Sequence, residues 1–471
     1  MKGMRFWGLA MLTAACCCSS CCDGNKDRAV LPVGVFDSGT GGLTVLEKIL
    51  TLDVFNNATG AAEPDGIPDF AAEDFQYLAD QANMPYGVYD AQGNAALLRR
   101  LVLDDALFLL GGQYWTNAAE EAPTGRKAPC KILVIACNTA TAYGLEDVSQ
   151  LLIDQEEGTR VIGVINAGVK ATLDQLADAA EPFAVGVLAT PGTISSGAYE
   201  RTLRSEIAAR GISTPVTIVN QAGYGFAEAV DSEPDYVNPS LTAPRESYRG
   251  PRLGTADPDI KEELLPAYNF EEAGLLYRSA GPLKLDLQLN SAANYARFNL
   301  VSLVERHRAS GSRAPLKAVI LGCTHYPFLL ETLEKTVAEL RDYEKDGAKP
   351  YRDLLAEDLA FIDPARYVAI ECYRALQEDG LLKAGAKASS SKAPTKAART
   401  VSGYISVPAA SLDPACKTPE GALTFEFKYG RPASVEDTGT RPVPFADDNI
   451  DTNNRTRIRA LLPACAEELS L

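Results

Sequence analysis

Two cysteines stand where apolar strands run into helices. The segments KILVIACNTATA around Cys137 and KAVILGCTHYPFLL around Cys323 each read as a short β-branched run that ends in a thiol and passes at once into polar residues that open a helix. A thiol at such a junction meets the positive end of a helix dipole and free backbone N–H groups, which favours thiolate over thiol. Each is followed by hydrogen-bonding residues, Asn138 and Thr139 in one case, Thr324 and His325 in the other, and His325 is one of only two histidines in the chain. A free cysteine on its own is more often a small buried hydrophobe than a catalyst. A matched pair, one per half of the chain, suits an enzyme that moves a proton between two sulfurs.

The elements that position these thiols follow the same pattern. LPVGVF reads as a first strand, DSGTGG as a tight glycine turn and LTVLEKIL as the helix after it; FQYLAD is a second strand ending at Asp80. RVIGVI, FAVGVLAT, PVTIVN and the run at 317–321 continue the alternation of strand and helix. Such alternation gives an α/β fold with parallel sheets, whose ligands sit at the carboxyl ends of the strands. Asp37, Asp80, Cys137, Thr190 and Cys323 all stand at those ends. The DSGTGG turn lacks the Lys-Ser/Thr of a phosphate loop and the G-x-G-x-x-G spacing, so phosphate is a weak reading and a carboxylate anion a better one.

Composition narrows the function classes. With 471 residues, 46% of them apolar, the chain can bury a large core. The net charge of −17 and the lack of a basic patch argue against nucleic acid. Five of the eleven cysteines crowd into the first 22 residues, and no C-x-x-C pair is matched by a second pair or by histidines, so neither zinc nor a disulfide scaffold is expected. The N-terminus reads as an export signal: Lys2 and Arg5, an apolar stretch over 6–15, then Thr13, Ala14 and Ala15 just before Cys16. That pattern resembles a bacterial lipoprotein signal with Cys16 as the lipidated residue.

The segments VGVFDSGTGGLTVL, ADQANMPYG, VIACNTATA, LATPGTISSGAYERTL and VILGCTHYPFLL together resemble the signature segments of bacterial glutamate racemases, in the aspartate/glutamate racemase superfamily, and occur in that order. The resemblance covers roughly 31–230 and 292–375. It implies two doubly wound α/β domains related by pseudo-symmetry, with the active site in the cleft between them. It also implies racemisation without a cofactor or metal: Cys137 and Cys323 as the proton donor and acceptor, Asp37 assisting the first and His325 the second. Glu228, in YGFAEAVDSE, is matched more loosely to an acid on the second side. Substrate contacts implied are Asp37, Ser38, Tyr86, Gly87, Asn138, Thr139, Thr324 and His325, with Thr190 and Thr193 as local caps or further contacts.

The expected organisation is a signal peptide at 1–15, a spacer at 16–30, a first domain at 31–160 plus about 349–377, and a second at 161–348 with an insertion at about 231–290. A low-complexity linker at 378–400 and a C-terminal extension at 401–471 of mixed strand and loop complete it. The partner expected is a small amino acid, glutamate for preference, with aspartate or a hydantoin as substrates of related enzymes. Membrane attachment through Cys16, facing the periplasm or the cell exterior, follows from the signal, and a homodimer stays open. A contrasting reading is an exported binding lipoprotein on the same fold without catalysis, which would not need both thiols, Asp37 and His325; without the signal the chain would be cytoplasmic.

Overall fold

The computed structural model describes residues 27–155, 158–256, 258–280, 283–383 and 399–471. Cys16, the expected signal at 1–15 and residues 384–398 of the linker lie outside them. Along the chain the strands are β1 (Val33–Asp37), β2 (Phe75–Ala79), the two-residue pair β3 (Gln113–Tyr114) and β4 (Gly125–Arg126), β5 (Ile132–Ile135), β6 (Arg160–Gly163) and β7 (Phe183–Ala189). There follow β8 (Val216–Ala222), the hairpin β9 (Leu275–Ala280) and β10 (Leu283–Leu289), β11 (Leu316–Gly322), β12 (Leu355–Ile362), β13 (Val401–Pro408) and β14 (Thr440–Pro444).

Two sheets carry the fold. The first runs β14-β13-β2-β1-β5-β6 and is parallel except for its β14 edge; the second runs β12-β11-β7-β8 and is parallel throughout. The central strands β1, β2, β5 and β7 are buried along their whole length, as expected of a parallel sheet covered on both faces. Helices Val164–Gln175 and Pro364–Glu378 lie between the sheets, and one apolar cluster runs from Val33 and Tyr77 through Ile165 and Val368 to Val185 and Ile320. The α/β class with parallel sheets is therefore as expected.

Three boundaries differ from the sequence reading. The cut between 160 and 161 falls inside β6, which belongs to the first sheet because it continues the β5 ladder. Within 349–377, strand β12 pairs with β11 and so belongs to the second sheet; only the helix after it returns to pack on the helix Leu43–Leu50. The 401–471 segment is no appendage. Strand β13 adds to β2 in parallel, Val401 opposite Phe75, and β14 then closes the edge, with helices Phe425–Gly430, Thr452–Leu461 and Pro463–Glu468 between and after them. The 231–290 segment packs its hairpin and loops into the second half, where Tyr248, Ile260, Leu275, Leu287 and Leu289 join the buried cluster around Tyr295 and Phe298.

Candidate active site

Asp37 ends β1, and the chain after it turns sharply enough for both Gly39 N and Gly42 N to donate to its Oδ2, at 3.1 and 3.0 Å. Tyr77 OH donates to Gly39 O at 2.6 Å and fixes the turn from beneath. Burial pushes the Asp37 carboxyl up, and the two amides, His325 and the Cys137 thiol pull it partly back. One carboxyl thus lies in reach of functional groups from both halves.

Cys137 follows β5 and caps the helix Asn138–Asp154: its Sγ accepts from Ala140 N at 3.4 Å and donates to Ser38 Oγ at 3.6 Å. The helix start was expected to favour thiolate here. Instead, burial and the neighbouring Asp37 charge push this thiol up to about 12, so it holds its proton at neutral pH. The amide of Ala140 pulls the other way and is outweighed.

Cys323 follows β11 and has a different neighbour. His325 Nδ1 lies 3.5 Å from Cys323 Sγ and 3.4 Å from Thr324 Oγ1, while Nε2 donates to Asp231 Oδ2 at 3.1 Å. The sequence Cys323, His325, Asp231 is the order of thiol, base and orienting carboxylate that activates a sulfur. Burial lowers the His325 pKa, but the Cys323 sulfur, Asp37 and Glu228 outweigh it and leave it above its ordinary value.

The two halves meet around these groups. A Cβ on Gly41, in the first-half turn, would come within 2.7 Å of His325 Cε1, so a side chain there would have to displace the imidazole. Gly192 meets Gly87 in the same way, with 2.7 Å left to the Gly87 Cα. Thr139 Oγ1 pairs with Thr193 Oγ1 at 3.2 Å, Thr190 donates to Thr193 at 2.9 Å, and Tyr199 OH donates to Asn138 Oδ1 at 2.6 Å. Asp37, Ser38, Cys137, Asn138, Thr139, Cys323, Thr324 and His325 are thereby brought to one place, at the carboxyl ends of both sheets.

Two residues are placed otherwise. The Tyr86 side chain is buried among carboxyl groups, its hydroxyl facing Asp80 at 2.6 Å and Asp105 at 2.8 Å. One hydroxyl proton cannot serve both carboxylates at once, and burial with the neighbouring Asp80 pushes the Asp105 carboxyl well up. This network supports the loop that carries Gly87. Glu228 faces His325 only through its field; the residue bonded to the imidazole is Asp231, at the end of the helix Phe226–Val230. The helical i, i+3 spacing of the two acids was the available signal for Asp231, and Tyr199 offered none. Among the described residues no group of three or more His, Cys, Asp or Glu side chains could hold a metal ion, and no helix is long and apolar enough to cross a membrane.

No protein-family model matches the chain. Curated relatives do. The glutamate racemase of Carboxydothermus hydrogenoformans is 27% identical over 358 residues, 76% of this chain and 84% of that protein. That of Roseobacter denitrificans is 28% identical over 291 residues, 60% of this chain and 89% of its own length. The chain is an isomerase that resembles bacterial glutamate racemases. It is longer than these relatives. A solved glutamate racemase isoform from Bacillus anthracis is 21% identical, with 80% of this chain and 88% of that one covered and a TM-score of 0.44.

Proposed function

We propose that the protein interconverts L- and D-glutamate by passing protons between two thiols. The observation that carries this reading is the convergence of two differently partnered cysteines where the two halves meet: Cys137 against Asp37, Cys323 against His325. In one direction Cys323, its sulfur charge balanced by the His325 imidazolium, takes the α-proton from one face, and the Cys137 thiol gives its own proton to the opposite face. The S–H bond broken on Cys137 is matched by the one formed on Cys323, so the chemistry balances without a redox partner. In the other direction the roles swap, and Asp37 is placed to ease the proton off Cys137. Ser38, Asn138, Thr139 and Thr324, with the turn amides, supply donors suited to the substrate's carboxylates. Glutamate is the substrate named for the relatives, and D-glutamate made here would serve peptidoglycan synthesis.

Circular dichroism of L-glutamate and of D-glutamate incubated with the full chain tests this directly. Decay of both signals to zero is expected; a stable signal with glutamate but decay with aspartate or a hydantoin would reassign the substrate, and stability with all of them would remove the catalytic reading. Lipid attachment at Cys16 is a separate proposal that rests on the N-terminal sequence. Labelling by a palmitate analogue supports it, and an unlabelled product that keeps residues 1–15 refutes it.

A further inference from the structure

The C-terminal segment reaches the second half at one functional point. It is rooted in the first half by β13 and β14, by Ile458 buried in the shared core, and by Glu47, whose carboxylate accepts from Ala464 N at 3.1 Å and Cys465 N at 2.8 Å. From the helix Thr452–Leu461, Arg457 projects across and forms an ion pair with Asp231, the carboxylate that holds His325. Both side chains are largely shielded, each 18% exposed. Arg457 Nη2 also donates to Asn454 Oδ1 at 2.8 Å on its own helix, which fixes the guanidinium.

We infer that Arg457 is a positioning residue for the second thiol, pinning Asp231 against His325 and so His325 against Cys323. The inference rests on reading Cys323 as a proton-transferring thiol. Physically, a carboxylate at the end of a helix is opposed by the dipole and needs cationic partners. With only His325 available, Asp231 would hold the imidazolium more tightly and keep its proton from being shared with Cys323. The groups facing His325 are Cys323 and Thr324 beside it, Asp37 and the Gly41 turn from the first half, Glu228, Asp231 and Glu233 from the segment after β8, and Arg457 behind Asp231. Of the charged groups just named, all but Arg457 are acidic or a thiol. Arg457 therefore balances Asp231 and leaves the His325 proton free to answer to Cys323. The same contact ties the C-terminal segment, rooted in the first half, to the second half.

The chain has two histidines, so imidazole NMR resolves both in the intact protein. His307, whose Nε2 bonds Ala314 O at 2.7 Å, is the internal reference. In Arg457→Gln the His325 pKa is expected to rise by about one unit, with His307 unmoved. Glutamate turnover should fall about ten-fold or more in kcat with KM changed much less. Arg457→Lys, which keeps the charge, should return His325 close to its wild-type value. An unmoved His325 in a folded Arg457→Gln or Arg457→Met variant overturns the proposal, and so does unfolding of both neutral variants, which would make Arg457 a stabilising contact alone. A shifted His325 in a protein that racemises nothing would uphold the positioning role while removing the racemase reading.

Discussion

The two cysteines occupy the same place in two sheets and behave differently. Cys137 and Cys323 both end a parallel strand, but Cys137 is buried beside a carboxyl while Cys323 is bonded to an imidazole that a second carboxylate holds. The lesson is that the strand-to-helix junction sets where a thiol stands and its neighbours set what it carries. A dipole at the start of a helix contributes at most about 2 kcal/mol. Burial and an adjacent like charge each shift a pKa by up to several units, at 1.36 kcal/mol per unit, and so decide the outcome at Cys137.

The largest effect expected from breaking this pair is loss of the reaction when either sulfur goes. Cys137→Ala and Cys323→Ala should each lower racemisation by about 10³-fold or more, since one-sided chemistry cannot invert the carbon. Next come the partners. Asp37→Asn and His325→Asn should each cost about 10²–10⁴-fold. Because the equilibrium constant of a racemisation is one, kcat/KM must fall equally from both enantiomers, so the difference between the halves appears in kcat and KM taken separately, with opposite bias in the two variants. Equal changes in both would mean that these residues only position substrate.

Alkylation sharpens the comparison by pH. A thiol raised to about 12 is protonated below that value, so Cys137 should be nearly inert to iodoacetamide at neutral pH and gain reactivity steadily as pH rises toward 12. Cys323, beside His325, should be modified before Cys137 at pH 7, as peptide mass mapping of those two peptides would show; Cys137 reacting ahead of Cys323 would contradict the assignment. The smallest effect concerns the seam between the halves. Tyr199→Phe removes the buried hydroxyl that donates to Asn138 and should cost about 1–3 kcal/mol in urea unfolding, because the Asn138 oxygen is left without that donor.

What the sequence made legible was local. The thiols, Asp37 and His325 sit in short strand–turn–helix segments, and period and turn residues place such segments at the carboxyl ends of strands without knowledge of the rest of the fold. Asp231 was harder to find, because Glu228, Asp231 and Glu233 lie close together and only the fold brings one of them to the imidazole. The strand β13 pairs with β2 across more than three hundred positions, and no local signal announces such a return. The edge strand β12 looked like part of the first domain since its following helix does pack there. The protonation of Cys137 depends on how completely the two halves bury it, which is tertiary and absent from any motif.

Solvent exchange in the two cysteine variants tests the central claim most directly. With Cys137→Ala and Cys323→Ala in deuterium oxide, proton NMR of the α-position follows L-glutamate and D-glutamate separately. The account predicts complementary behaviour: each variant exchanges the α-proton of one enantiomer only, the two variants choose opposite enantiomers, and neither inverts its substrate. Exchange of the same enantiomer by both variants, or inversion by either at the wild-type rate, would contradict a pair of thiols working from opposite faces.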